Sequence, residues 1–164
     1  MKKLYIVRHA KSDWGNDDLK DIDRPLNSRG YGDAYHMSKK FLDKRGVPDL
    51  LVASPAIRSL STALIFARTF AYEEHKILMK EGIYESTHKV LQKTIAAIHN
   101  DFGTVMLFGH NPGLTNLFNE VSDSFIDNIP TCGIIGIEFN SPYWKDILSS
   151  KGNTIYTDFP KEFK

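Results

Sequence analysis

The stretch Leu4-Tyr5-Ile6-Val7-Arg8-His9-Ala10-Lys11-Ser12 contains the residues that decide the fold. Its first four residues are apolar or aromatic, which is typical of a strand buried on both faces of a sheet. The apolar run stops at Arg8 and His9, two side chains that can bind anions and carry protons. Because ligands of open α/β sheets bind beyond the carboxyl ends of the strands, this pair is placed for chemistry. A basic strand end that simply faces solvent is the alternative that this stretch alone leaves open.

The composition is that of an ordinary globular protein. The chain has 164 residues, of which 41% are hydrophobic and 25% charged, so we predict one domain over residues 1–164. The formal net charge of +1 argues against a nucleic-acid partner, which would require a basic excess. Cys132 is the only cysteine, which excludes an internal disulfide. There is no apolar run of membrane-spanning length and no signal-peptide core after residues 1–3, so we expect a cytoplasmic protein without a membrane partner.

Strands and helices are predicted to alternate along the chain. Apolar runs predict strands at residues 4–7, 50–53, 104–109 and 134–139, a less regular one at 75–79, and one near a sheet edge at 154–159. Capping residues and helical spacing predict helices over residues 27–45, after Ser54-Pro55, after residues 86–87 and over residues 114–121. This order predicts an α/β fold, a three-layer sandwich whose mainly parallel sheet is flanked by helices.

Three of the predicted strands are followed by side chains that bind anions. These side chains are Arg8 and His9 after the first strand, Arg58 in the helix after the second, and His110 after the strand at 104–109. If the strands are parallel neighbours, the four side chains meet at one edge of the sheet. So many donors require an anionic ligand, and phosphate fits because arginine donates to its oxygens in pairs.

These motifs resemble those of the histidine phosphatase superfamily, which has the phosphoglycerate mutase-like fold. Residues 4–10 are similar to the family's Arg-His-Gly signature, residues 54–63 to its second arginine motif, and residues 109–111 to its second histidine motif. Ala10 stands in place of the signature glycine, and this change and the short chain resemble the SixA-like phosphohistidine phosphatase branch. The interval between Glu85 and the strand at 104 fits one helix and leaves no lid of the kind that roofs larger members.

The resemblance implies a metal-independent phosphatase that uses no cofactor and forms a transient phosphohistidine on His9. The residues then expected to bind the phosphoryl group are Arg8, Arg58, His110, Ser12 and Asn111. Asn111 is included because the helix that follows it has free N–H groups that favour an anion. The chemistry is consistent, because neighbouring arginines lower the pKa of His9 and keep its imidazole neutral and nucleophilic.

The resemblance also suggests where a proton donor lies. Many members carry it in a Leu-x-Glu segment after the third strand, and Ile83-Tyr84-Glu85 fits this pattern best, with Glu81 as a competitor. A phosphohistidine substrate has less need of a strong acid, because imidazole leaves more readily than an alkoxide. The expected partner is a phosphohistidine-bearing protein, since a pocket without a lid can reach a side chain on a folded surface. The alternatives are a phosphomonoesterase for a small metabolite and a non-catalytic phosphate-binding module, although binding alone needs no nucleophile.

The polar segment at residues 13–25 and the other histidines have less specific interpretations. Trp14 is either a core residue or a contact at the rim of the pocket. The aspartates of this segment are typical of a solvated loop, and near a pocket they would disfavour strongly anionic small substrates. The remaining histidines lack the spacing of a metal site, so no metal is expected.

Overall fold

The strand that contains the opening stretch, β1 (Lys2–Arg8), lies inside a six-stranded sheet. The computed structural model describes residues 1–161. The other strands are β2 (Leu50–Ala53), β3 (Leu78–Met79), β4 (Thr104–Gly109), β5 (Ile134–Phe139) and β6 (Asn153–Asp158). Their order is β3-β2-β4-β1-β5-β6, in which β1 to β4 are parallel and β5 and β6 are antiparallel to their neighbours. The predicted mainly parallel sheet is therefore confirmed.

Four helices cover the two faces of this sheet. They are α1 (Ser28–Arg45), α2 (Ile57–Thr69), α3 (His88–Ala96) and α4 (Gly113–Val121). The buried side chains of α1 and α2 belong to one apolar cluster and those of α3 and α4 to another. The predicted three-layer α/β sandwich is therefore confirmed.

Successive side chains of β1 point to opposite faces of the sheet, so this one strand contributes to both apolar clusters. Leu4 and Ile6 pack into the cluster with α3 and α4, whereas Tyr5 and Val7 pack into the cluster with α1 and α2. All four side chains are buried, and burial of each contributes about 1.5–3 kcal/mol. Packing on both faces fixes the register of β1, and with it the position of the residues that follow.

The ends of α1 follow the capping pattern expected from the sequence. The side chain of Asn27 accepts a hydrogen bond from the Gly30 N–H at 2.8 Å, and Gly46 ends the helix at a φ of 78°. Gly30 also lets the helix approach the first motif, since an added Cβ would lie 2.1 Å from the Lys11 carbonyl oxygen. The start of α1 is therefore held directly against the chain that leaves β1.

Two local predictions were wrong. The strand predicted at residues 75–79 is only Leu78–Met79, because residues 74–76 form a 3-10 turn with exposed side chains. The helix predicted to begin at Ser54-Pro55 begins at Ile57, with Ala56 in the capping position. Ser54 is not the cap because its hydroxyl contacts a histidine on the neighbouring strand end, as described below.

Candidate active site

The three anion-binding motifs lie side by side at the carboxyl edge of the sheet. In the parallel register, Arg8 of β1 lies opposite Gly109 of β4, and Ala53 of β2 lies opposite Phe108. Backbone hydrogen bonds continue past the strand ends, from the His9 N–H to the Gly109 carbonyl at 3.0 Å and from the Ser54 N–H to the Phe108 carbonyl at 3.2 Å. The order β2-β4-β1 thus brings together segments that are far apart in the sequence.

A cavity of about 330 Å³ opens at this edge. Its lining includes basic and imidazole side chains: Arg8, His9, Lys11, Arg24, Arg58 and His110. Among them His9 and Arg58 are only 8% and 7% exposed. The ring centroids of His9 and His110 are 5.3 Å apart. The structure therefore gathers both predicted arginines and both predicted histidines around one hollow.

The imidazole of His9 is oriented by its own backbone. Its Nδ1 lies 2.7 Å from the carbonyl oxygen of Ala10, which can only accept a hydrogen bond, so Nδ1 carries the proton. The Ala10 N–H in turn donates to Thr62 Oγ1 at 3.0 Å, which ties this turn to α2. In the neutral ring Nε2 then keeps its lone pair, and Nε2 is the atom available for nucleophilic attack.

Burial keeps both histidines neutral. Desolvation lowers the pKa of His9 to about 3, and the positive charges nearby act in the same direction, against the hydrogen bond to Ala10. Desolvation and the Arg58 charge lower the pKa of His110 to about 4. At neutral pH both rings are therefore unprotonated, so His9 Nε2 could act as a nucleophile without a separate base.

Ser54 fixes the second histidine. Its Oγ accepts a hydrogen bond from the Ala56 N–H at 3.2 Å and lies 2.8 Å from His110 Nε2. This contact fixes the orientation of the His110 ring. The sequence contained a signal for Ser54, a serine directly after a strand, but helix capping was the simpler interpretation.

Several buried polar atoms in the site have no hydrogen-bond partner. In residues 1–161, four buried side-chain polar atoms have no hydrogen-bond partner, and three of them are Arg8 Nε, Arg58 Nε and His110 Nδ1. A buried donor without an acceptor costs about 1–3 kcal/mol. Because the three belong to side chains that line one cavity, an anion with several oxygens is the ligand that matches them.

Asp21 joins Arg58 to the rim of the cavity, and no motif in the sequence distinguishes it from the neighbouring aspartates. Arg58 donates from Nη1 to the Asp21 carbonyl at 2.7 Å and from Nη2 to its carboxylate at 3.0 Å. The carboxylate also accepts from Arg24 Nε at 3.1 Å and from the Tyr84 hydroxyl. These bonds lower the pKa of Asp21 to about 2 and raise that of Tyr84 to about 12, so Asp21 is ionised and Tyr84 protonated.

Ser12 and Asn111 line the cavity, but their side chains are occupied by protein contacts. Ser12 Oγ accepts a hydrogen bond from Arg24 Nη1 at 2.7 Å, so it orients that arginine. The Asn111 amide donates to the Ile129 carbonyl at 2.9 Å, and its oxygen accepts from the Thr115 hydroxyl at 2.8 Å. Direct hydrogen bonds from these two side chains to substrate stay a prediction, and the structure gives both a positioning role.

Glu85 lies outside the cavity that contains His9. It is exposed, has a φ of 54°, and lines an adjoining cavity of about 620 Å³ that also includes His110 and Asn111. Glu81 is likewise exposed and does not line the His9 cavity. The role of Glu85 as proton donor therefore stays a prediction, and the only carboxylate bonded to a cavity arginine is the ionised Asp21 among the described residues.

Residues 1–161 contain no helix that is both long and apolar enough to cross a membrane. Over the same range, no three His, Cys, Asp or Glu side chains lie close enough together to hold a metal ion. The charge that faces the cavity comes from arginine and lysine side chains.

A parallel α/β fold with this arginine and histidine cluster defines a phosphate-binding class of protein. The chain belongs to the histidine phosphatase superfamily (branch 1), whose family model matches residues 4–112. The solved SixA protein of Agrobacterium tumefaciens, assigned as a phosphohistidine phosphatase, superposes with a TM-score of 0.80 at 25% identity, covering 97% of this chain and 99% of that one.

Two sequence relatives show the range of related proteins. A chloroplastic protein of Arabidopsis thaliana, itself uncharacterised, is 26% identical over 159 residues, covering 92% of this chain and 72% of the relative. A protein of Hydrogenobacter thermophilus assigned as phosphoserine phosphatase 2 is 31% identical over 94 residues, covering 54% of this chain and 45% of the relative.

The neutral histidines predict a pH-dependent stability. Unfolded histidines bind protons below about pH 6.5, whereas the folded protein keeps His9 and His110 neutral until near pH 3 and 4. The contribution of these two histidines to the free energy of unfolding is therefore fully present above about pH 6.5. It decreases as the pH falls below that value. At pH 5 each ring should lower the free energy of unfolding by about 2 kcal/mol. Urea denaturation at pH 5 and pH 7 measures the difference.

A histidine substitution isolates this effect. The variant His9→Asn should lose about half of the pH dependence, because one of the two buried rings is gone. Substitution of the exposed His36 by Asn serves as the matched control and should retain the wild-type dependence. An unchanged dependence in His9→Asn would show that the folded His9 titrates like an unfolded one.

Proposed function

We propose that this protein is a phosphatase that acts through a phosphohistidine intermediate on His9. One observation carries the proposal: a neutral imidazole with Nε2 free stands beside the buried Nε–H donors of Arg8 and Arg58, which lack acceptors. A module that only binds phosphate would need the donors but not an oriented nucleophile. Membership of the histidine phosphatase superfamily supports the same chemistry.

The reaction has two displacements. His9 Nε2 attacks phosphorus, so that an N–P bond forms while the bond to the leaving group breaks and its electron pair stays with the leaving group. Water then attacks phosphorus and loses a proton to solvent or to the leaving group. The N–P bond breaks as the new P–O bond forms, and its electron pair returns to Nε2, which releases inorganic phosphate and neutral His9. Splitting the transfer into two steps lowers the barrier of each.

The arginines supply the electrostatic part of the catalysis. In the transition state, charge spreads over the three equatorial oxygens of phosphorus. Hydrogen-bond donors fixed beside these oxygens provide most of the catalysis in phosphoryl transfer. Arg8 and Arg58 carry permanent charge into the cavity, and the His110 ring lines the same cavity. Because these groups can balance the charge of the phosphoryl oxygens, we propose that no metal is required.

The substrate is proposed to be phosphohistidine on a protein. The cavity sits directly at the protein surface, with the exposed Trp14 at its rim, so it can receive a side chain carried by a folded partner. Among residues 1–161, the only carboxylate bonded to the cavity arginines is the ionised Asp21, and imidazole is a leaving group that does not require a strong acid. The name of the Agrobacterium tumefaciens structure points in the same direction.

A second candidate is a phosphomonoesterase for a small molecule. It is favoured by the similarity to the Hydrogenobacter thermophilus protein, whose name gives phosphoserine as its substrate. The adjoining cavity beside His110, which Glu85 lines, offers space for the rest of such a substrate and a carboxyl group to protonate it. The two candidates share the nucleophile and differ in the leaving group.

A substrate panel separates the candidates. Rates of phosphate release are compared for a histidine-phosphorylated peptide, a serine-phosphorylated peptide of the same sequence, and free phosphoserine, each in the presence of excess chelator. We expect the phosphohistidine peptide to have the highest kcat/KM, by about 100-fold or more, because no strong acid is needed for imidazole to leave. The chelator is expected to leave every rate unchanged. A reversed order would support the phosphomonoesterase, and loss of activity in chelator would overturn metal independence.

A further inference from the structure

The segment at residues 13–25, here called the rim loop, leaves the fold beside the cavity and returns to the same place. Ser12 and Leu26 form an antiparallel bridge, and the Asp13 N–H donates to the Pro25 carbonyl at 2.8 Å. Its inner residues Asp21 and Arg24 are bonded into the site. Compact loops with joined ends of this kind frequently carry function. The rim loop is therefore fixed at its base and has an outer face that the catalytic chemistry does not use.

Trp14 dominates that outer face. It is 74% exposed, whereas the other tryptophan, Trp144, is 1% exposed. One face of the Trp14 ring lies 3.5 Å from the Arg24 guanidinium, and the same residue lines the His9 cavity. Leu19 adds a second exposed apolar side chain on the loop. Tryptophan is among the residue types most often found at the energetic centre of protein interfaces, and here it stacks on Arg24 and lines the cavity that contains His9.

The charges of the rim loop determine which partner suits it. Besides Asp21, which is bonded to Arg24 and Arg58, the loop has four exposed aspartates and one exposed lysine, Lys20. The four are Asp13, Asp17, Asp18 and Asp23. The cavity behind them is cationic, and Arg58 Nε, on a side chain that is nine-tenths buried, still lacks an acceptor. The carboxylates of the rim loop do not attract a free anion. A phosphoryl group flanked by lysine or arginine suits both regions, because the phosphoryl group binds in the cationic cavity and the flanking cations pair with the aspartates.

We propose that the rim loop is the docking surface for a protein partner whose phosphorylated histidine is flanked by basic residues. Trp14 packs against the partner while the exposed aspartates pair with its cations. This inference rests on the proposed function, since it assumes a phosphohistidine on a protein, and it adds which surface receives that protein. It also predicts a preference that the catalytic cavity alone would not produce.

The test compares two peptides of equal length, each chemically phosphorylated on a single histidine. Three lysines flank the histidine in one peptide and three glutamates in the other. At low ionic strength the wild type should hydrolyse the lysine peptide with a kcat/KM about ten-fold higher, mainly through KM, and high salt should reduce the ratio. The double variant Asp17→Asn/Asp18→Asn should lower the ratio about three-fold, with the rate on an aryl phosphate unchanged.

A matched control removes two charges elsewhere. Asp43 and Glu120 are exposed and lie in the last turns of α1 and α4, at the end of each helix remote from the cavity. The variant Asp43→Asn/Glu120→Gln changes the net charge by the same amount and should keep the wild-type ratio. Equal loss of preference in both double variants would overturn the docking surface in favour of a general charge effect.

Trp14 provides a direct binding signal. In the variant His9→Asn, which retains the arginines but cannot form the intermediate, addition of the lysine phosphopeptide should protect Trp14 fluorescence from acrylamide quenching. Inorganic phosphate should give no protection, and the phosphopeptide should change nothing when Trp14→Phe is added, since Trp144 is buried. Quenching that the phosphopeptide leaves unchanged would place the partner elsewhere and overturn the proposal.

Different outcomes would contradict the proposed substrate and the proposed docking surface. If both phosphopeptides are inert while an aryl phosphate is hydrolysed, the proposed substrate is wrong, and the docking surface is overturned with it. If both peptides are hydrolysed at equal rates, the phosphohistidine activity stands and the docking surface alone is wrong.

Discussion

Replacement of His9 by Asn should reduce kcat on every phosphorylated substrate by about 10⁴-fold or more, the scale seen when a covalent nucleophile is removed. Asparagine is of similar size and polarity, but its amide cannot attack phosphorus. The loss should appear in kcat rather than in KM, because the arginines proposed to bind the phosphoryl group remain. Steady-state phosphate release measures it.

Trapping the intermediate tests the assignment directly. A radioactive phosphoryl label should be captured on the wild-type protein by rapid denaturation in alkali, and it should be lost in acid, as expected for a P–N bond to imidazole. The label should be missing from His9→Asn and present in His36→Asn, whose substitution removes an exposed histidine. An alkali-labile label, or a label that survives in His9→Asn, would contradict the proposed nucleophile.

The convergence of Arg8, His9, Arg58 and His110 could be anticipated because topology controls it. Each follows the carboxyl end of a strand or begins the helix after one, and parallel strands bring such ends to one edge of a sheet. The buried runs that define those strands are strong signals in the sequence. Once the neighbours β2, β4 and β1 were parallel, the residues beyond them had to meet.

The residues that support this cluster could not be anticipated, and for a physical reason. Asp21 and Arg24 lie in the rim loop. An irregular loop has no helical or strand periodicity from which the direction of a side chain could be predicted. Arg24 contacts Ser12 and Asp21 contacts Arg58 only because the loop folds back towards the residues where it begins. The Ser54 hydroxyl could either cap a helix or bond to His110. Which of the two it does depends on how close the end of the neighbouring strand lies, and the sequence does not contain that distance.

Glu85 illustrates a different limit. Its sequence pattern placed it correctly after the third strand, but a carboxylate acts as an acid only within reach of the leaving group. The left-handed backbone at Glu85 and its exposed side chain put it at the adjoining cavity. Whether substrate extends into that cavity depends on the size of the leaving group, which is a property of the substrate and not of this sequence.

Replacement of Arg58 by Lys should lower kcat/KM by about 10²–10³-fold, although the formal charge is kept. The guanidinium has two tasks at once. It holds the Asp21 carbonyl and carboxylate through Nη1 and Nη2, at 2.7 and 3.0 Å, and it retains an unpartnered Nε beside the cavity. A lysine ammonium is a single point on a flexible chain, so it can pair with Asp21 or with a phosphoryl oxygen but cannot reproduce the planar arrangement.

Two further variants identify the cause of that loss. Arg68→Lys makes the same change on the exposed part of α2, where Arg68 pairs with Glu74, and should leave kcat/KM unchanged. Asp21→Asn keeps the Arg58 guanidinium but removes its anionic anchor, and should cost about ten-fold because the donors are displaced rather than deleted. If Arg58→Lys behaved like Arg68→Lys, charge alone would account for binding, and the fixed geometry of the donors would have no part in stabilising the transferring phosphoryl group.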